Sequence, residues 1–189
     1  MRHLILLLLC SGALLAQAVS VPRGKPIMLD GKLSDSEWKD AKIVPLGDLA
    51  RLYVKQNNND VLIAIEYLKA NTFTADLYVS AGHGHIYDLH SSAKLGERTL
   101  VNGAWSDEWN WWNNDRWVAT VSRPDVFETH KFLDQKVREF QISRQRFPGR
   151  AWKIYLEFMT PAQPQWTTSC YPANARNTSD QYWMVLLFK

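Results

Sequence analysis

Cysteine is almost missing from this sequence: Cys10 and Cys170 are the only two in 189 residues. A multi-disulfide scaffold is therefore excluded, and the fold must be held by a packed core or a bound ion. Long apolar runs are scarce as well. The stretch from Leu4 to Leu9 is too short to span a bilayer, and no later stretch approaches transmembrane length. Neither sign of charge dominates, with 22 Lys and Arg against 19 Asp and Glu for a formal +3. These charges are scattered, with no basic stripe along a helix and no Arg/Gly-rich tail, which argues against a nucleic-acid partner. Long amphipathic helices are lacking, and with them a parallel α/β sheet. No nucleophile elbow, phosphate loop or metalloprotease helix occurs, nor any internal repeat or low-complexity linker.

What is present begins with a leader. Arg2 and His3 precede the apolar run, and Ala16-Gln17-Ala18 fits a small-x-small cleavage site. The pattern predicts a signal peptide over residues 1–18 and one exported domain over 19–189, secreted or periplasmic. Cys10 follows Leu7, Leu8 and Leu9, whereas a lipidated cysteine needs a small residue immediately ahead of it. Cleavage would leave Cys170 alone, read as a free buried thiol, with an intermolecular link as the alternative.

The rest reads as short strands separated by turns. Arg51 to Lys55 alternates, Asn57 to Asp60 is a turn, and Val61 to Tyr67 is apolar on both faces, which predicts a hairpin whose second strand is central. Ala75 to Ser80, Trp117 to Ser122 and Val137 to Ile142 continue the pattern, with a short helical turn expected at Ser143 to Phe147. In Trp152 to Met159 the residues Trp152, Ile154, Leu156 and Phe158 are expected inside and Lys153, Tyr155 and Glu157 outside. Tyr182 to Phe188 reads as a buried closing strand, after a loop marked by Pro161, Pro164 and Pro172. The fold class that follows is all-β, an antiparallel β-sandwich with one short N-terminal helix and that short helical turn. Asn177-Thr178-Ser179 is a glycosylation sequon, a pattern common by chance.

Residues 26–41, PIMLDGKLSDSEWKDA, form the best-defined local unit. Ile27 and Leu29 alternate as in a strand, Asp30-Gly31 is a turn pair, and Ser34 with Glu37 makes a capping box opening a helix that buries Trp38 and Ala41. This unit resembles the N-terminal signature of family 9 carbohydrate-binding modules and their DOMON-like relatives. The resemblance implies a jelly-roll-like topology, sugar binding in an aromatic-lined cleft and, often, a structural calcium ion. Some DOMON-like relatives hold haem between a methionine and a histidine, for which Met159 or Met184 with a loop histidine would be the candidates here. No residue of the family's aromatic clamp is carried over to this chain.

Two clusters carry candidate chemistry. Trp105 to Trp117, WSDEWNWWNNDRW, holds five of the nine tryptophans, interleaved with acids and amides. Indole faces stack on the C–H face of a sugar while neighbouring polar groups meet its hydroxyls. The predicted ligand-binding residues are Trp105, Asp107, Glu108, Trp109, Trp111, Trp112 and Asn113; part of the cluster is also expected to plug the core. As a strand the stretch aligns Trp105, Trp109 and Trp111 with Trp112 opposed; as a helix it aligns Trp105, Trp109 and Trp112. Asp107, Glu108 and Asp115 are hard oxygen donors suited to sugar hydroxyls or calcium. The second cluster, Ser80 to Arg98, reads as a glycine-rich polar loop. Its His83 and His85 form an H-x-H pair that, with Asp88 or His90, would suit zinc or copper. These two segments flank strands and are expected to meet at one end of the sandwich.

The leading functional expectation is a non-catalytic carbohydrate-binding domain for a glycan or polysaccharide. The alternatives are a structural or protein-binding envelope module, a haem- or metal-binding DOMON-like domain, and a glycoside hydrolase using Asp107 and Glu108. Adjacent acids diverge, whereas hydrolysis needs two carboxylates across the scissile bond.

Overall fold

The computed structural model describes residues 17–82, 84–111, 117–121, 136–162 and 165–189. Two sheets pack face to face. The larger runs β1 (Ala18–Val21), β14 (Met184–Phe188), β12 (Ala151–Ala162), β5 (Thr74–Ser80), β6 (His85–Ser91), β7 (Leu95–Val101) and β8 (Ala104–Trp105), with β13 (Gln165–Tyr171) on β12 and β9 (Asn110–Trp111) on β7. The smaller runs β10 (Trp117–Ala119), β11 (Val137–Ser143), β4 (Asp60–Tyr67), β3 (Ala50–Gln56) and β2 (Lys42–Leu46). Among the described strands pairing is antiparallel except between β1 and β14, which run parallel; Arg23 adds an isolated parallel bridge to Gln56. The sandwich predicted from alternation is therefore the observed fold, and β4 occupies the centre of its sheet as expected.

Alternation explains the core. Leu77 and Val79 of β5, and Trp152, Ile154, Leu156 and Phe158 of β12, meet Leu52, Val54, Ile63, Ile65, Phe140 and Ile142 across the sandwich. Trp117 joins this core and stacks on Phe140 at 6.4 Å. Its Nε1 donates to Glu97 Oε2 at 2.8 Å, so the polar edge of this buried indole is satisfied from the opposite sheet.

β4 is apolar on both faces because both faces are covered. Its outward Leu62 and Ala64 lie under Trp38 of the helix α1 (Asp35–Trp38) together with Val137. The segment that carries α1 is tied down by buried Glu139: Oε2 accepts from the Asp30 and Gly31 amides at 2.9 and 2.7 Å, and Oε1 accepts from Trp38 Nε1 at 3.0 Å. Gly31 has φ 74, which a side chain would strain. Nearby, the fully buried ammonium of Lys55 donates to Asp40 at 2.7 Å and to the Glu37 carbonyl, and lies over the Trp38 ring.

Several local expectations give way to tertiary structure. Residues 24–29 form no strand, because the Asp30-Gly31 amides turn to Glu139 rather than to a neighbouring strand. The capping box does not close: Ser34 Oγ donates to Glu37 Oε2 at 2.6 Å, while Glu37 Oε1 accepts from the Met28 amide at 2.8 Å. The helical turn after β11 is only a hydrogen-bonded turn at residues 144–146. Ser80 to Arg98 is no loop but largely the hairpin β6–β7. The proline-marked loop contains β13, paired along β12. Tyr155, expected outside, is 3% exposed because Trp183 stacks on it at 5.6 Å. Cys170 is a free, half-buried thiol on β13. No helix among the described residues is long and apolar enough to cross a membrane.

Candidate functional site

Among the described residues, the outer face of the larger sheet is covered over one half and open over the other. The segment after β13 brings Ala175 and Trp183 onto Tyr78, Ile86, Leu100 and Tyr155, closing a second apolar cluster. Tyr78 donates to Glu157 Oε2 at 3.0 Å, and burial with the nearby charges of Asp88, Asp76 and Glu157 holds its phenol protonated well above the ordinary range. The Asn177 amide of the sequon points into this cover, 3.3 Å from Glu157 Oε1.

The open half belongs to the tryptophans. β8 pairs Trp105 with Leu100 and β9 pairs Trp111 with Gly96, so the two short strands place indoles on either side of Arg98. Its guanidinium carbon lies 4.6 Å from the Trp105 ring and 4.5 Å from the Trp109 ring. Trp109 in turn stacks on Trp111 with centroids 5.4 Å apart and an interplanar angle of 23°. The result is a ladder of indole, guanidinium, indole and indole. Trp105, Trp109 and Trp111 share one face, the strand alternative. Gly96 is the seat of the ladder: a Cβ there would lie 2.8 Å from two Trp111 ring carbons and 3.1 Å from Trp109. Trp111 remains 46% exposed.

Beneath the ladder lies an ionisable floor. Arg98 Nε donates to Asp88 Oδ2 at 2.9 Å, while Asp88 Oδ1 is buried with no hydrogen-bond partner among the described residues. Burial and the charge of Asp76 push the Asp88 carboxyl up to about 8, against the pull of Arg98. His90 meets Trp109 and Trp111 edge-on at 5.3 and 5.8 Å. Its Nδ1 is 2.5 Å from Asp76 Oδ1 and its Nε2 is 2.8 Å from Ser92 Oγ. A groove of about 300 Å³ opens beside it, lined by Thr74, His90, Ser92, Ala93, Met159 and Trp166. Trp166, on β13, is 57% exposed.

The structure thus brings the Trp-rich and histidine-containing segments together, on a sheet face rather than in a loop cluster. Trp105, Trp109, Trp111 and His90 converge there. Asp107 and Glu108 are exposed in the connection between β8 and β9. Trp112, Asn113, Asp115 and His83 lie outside the described residues. His85 and His90, five apart on β6, point to opposite faces, so this pair does not converge on one ion. Among the described residues no three His, Cys, Asp or Glu side chains gather as a metal site. Asp76, Ser92, Arg98 and Trp166 escaped the sequence reading. Asp76 sits in a wholly buried strand and Trp166 in an apparent loop; only the Q-W-T-T-S alternation signalled a strand there.

By sequence, no family model and no curated protein matches the chain. In fold it is similar to a solved structure from Bacteroides uniformis ATCC 8492 described as a "putative carbohydrate-binding protein". The two share 9% identity with a TM-score of 0.58, over 92% of this chain and 99% of that one. At that identity the likeness establishes a common architecture.

Proposed function

We propose that this protein is an exported carbohydrate-binding domain whose ligand stacks on the exposed indole of Trp111. The observation that carries the proposal is the Trp109–Trp111 stack, preformed on Gly96, with one ring open to solvent and polar groups at its border. A rigid aromatic face binds a sugar with little ordering cost, and the exposed Asp107 and Glu108 of the β8–β9 connection are the candidate partners for its hydroxyl rim. The description of the Bacteroides uniformis structure supports the same ligand class. The leader-like pattern of residues 1–18 supports the export part of the reading.

No glycosidase step belongs to the proposal, since Asp107 and Glu108 are exposed neighbours on one connection rather than a pair across a cleft. Calcium is given no place in it. Haem is disfavoured by the site itself: His90 has both ring nitrogens engaged by Asp76 and Ser92, and Met184 is buried in the core.

The test is a glycan array probed with residues 19–189, with and without calcium. Reproducible binding that weakens about tenfold or more in Trp111→Ala, at unchanged melting temperature, is the expected result. Silence across the array from a folded protein refutes the reading.

A further inference from the structure

Sugar stacking makes no use of the hydrogen-bond chain in the adjacent groove. Asp76 and His90 are directly opposite on β5 and β6, and Ser92 stands in the turn that follows. Asp76 is 5% exposed, and as a carboxylate it only accepts hydrogen bonds. With a proton on Nδ1, toward Asp76 at 2.5 Å, the neutral imidazole presents Nε2 as an acceptor to the Ser92 hydroxyl at 2.8 Å. The edges of Trp109 and Trp111 hold the ring in that orientation. A carboxylate orienting an imidazole that accepts from a hydroxyl is the constellation that activates a serine nucleophile. Ser92 is half-exposed and lines the groove, and its Oγ accepts from the Lys94 amide at 3.4 Å.

We propose that Ser92, His90 and Asp76 form an ester-cleaving centre that removes small acyl groups from sugar hydroxyls. Ser92 and His90 are the catalytic residues and Asp76 the positioning residue. The groove suits the acyl group, because Met159, Ala93 and Trp166 give it apolar walls beside His90 and Ser92. For the alcohol half, the assignment rests on the glycan reading of the neighbouring indoles. Ser92 Oγ attacks the ester carbonyl as its proton passes to His90 Nε2. The bond from the carbonyl carbon to the sugar oxygen breaks, and that oxygen leaves with the proton from Nε2. Water then repeats the sequence on the acyl-serine, giving the carboxylic acid and restoring the Ser92 hydroxyl.

The experiment treats the mature protein with a fluorophosphonate probe, maps the adduct by mass spectrometry, and measures hydrolysis of 4-nitrophenyl acetate. A single adduct on Ser92 is expected, absent in Ser92→Ala. In His90→Gln, hydrolysis and labelling should fall by at least about a hundredfold. Asp76→Asn should slow both and shift the pH profile, and Asp76→Glu should restore part of the rate, which a purely structural carboxylate would not do. A protein with unaltered melting whose Ser92 stays unlabelled, or whose labelling survives Ser92→Ala, overturns the centre. Array binding without labelling refutes the ester chemistry and leaves the glycan reading standing. Labelling with a silent array supports the centre and overturns sugar as the alcohol.

Discussion

Glu139 shows how a single buried carboxylate organises a long local segment. Its two oxygens accept three N–H groups from residues more than a hundred positions earlier in the chain, and one of them is the Trp38 indole. Trp38→Ala removes that ring from a site only 3% exposed and leaves Glu139 short of a donor. The expected cost is about 3–5 kcal/mol, read by chemical denaturation; an unchanged midpoint would contradict the anchoring role. Asp88 makes the opposite kind of prediction. Burial, then the Asp76 charge, raise its carboxyl to about 8 in the folded protein, against an ordinary 3.8. Between those values the folded state holds a proton that the unfolded state has released, so this group's contribution to stability falls as pH rises from about 4 to about 8. Asp88→Asn imitates the protonated acid, and its melting temperature should decline less over that window. A steeper decline in the variant would sink the assignment.

The aromatic ladder depends on β7, β8 and β9 together rather than on any tryptophan alone. β8 and β9 are two residues each, too short to be stable unless they are pinned to β7, and Arg98 between the indoles supplies the pin. Gly96 supplies the space. Gly96→Val should push Trp111 and Trp109 off the strand, abolishing glycan binding with little change in melting, because the displaced rings face solvent rather than the core. Retained array binding in that variant would show that the ladder is not the platform. Sequence reading identified these tryptophans but left strand and helix open, since the spacing of Trp105, Trp109 and Trp111 or Trp112 satisfies either period. Pairing with β7 places Trp105 and Trp111 in strands, and no residue within the stretch carries that information.

The whole sandwich closes through its ends. β1 adds to β14 in parallel, and its Val19 and Val21 are 4% and 1% exposed. A chain beginning at Arg23 should lose roughly 3 kcal/mol or more relative to one beginning at Val19, from two buried valines alone. Equal stability of the two, measured by denaturant unfolding, would place β1 outside the cooperative unit. At the same scale, the outer face of the larger sheet is divided, among the described residues, between the cover carrying Ala175 and Trp183 and the open indole field. That division locates the candidate site.

Alternation and turn chemistry were enough to determine the sandwich, the central place of β4 and the inward set Trp152, Ile154, Leu156 and Phe158. A strand's period of two assigns each residue to a face whatever lies elsewhere. Periodicity does not say whether the second face meets water, because its covering arrives from distant sequence. Only the tertiary structure buried Tyr155 under Trp183, covered Leu62 and Ala64 with α1, turned the Asp30-Gly31 amides to Glu139, and joined Asp76, His90 and Ser92 beside the tryptophans. Each of these contacts needs strands or segments to be placed side by side, and that placement is set by packing across the whole chain.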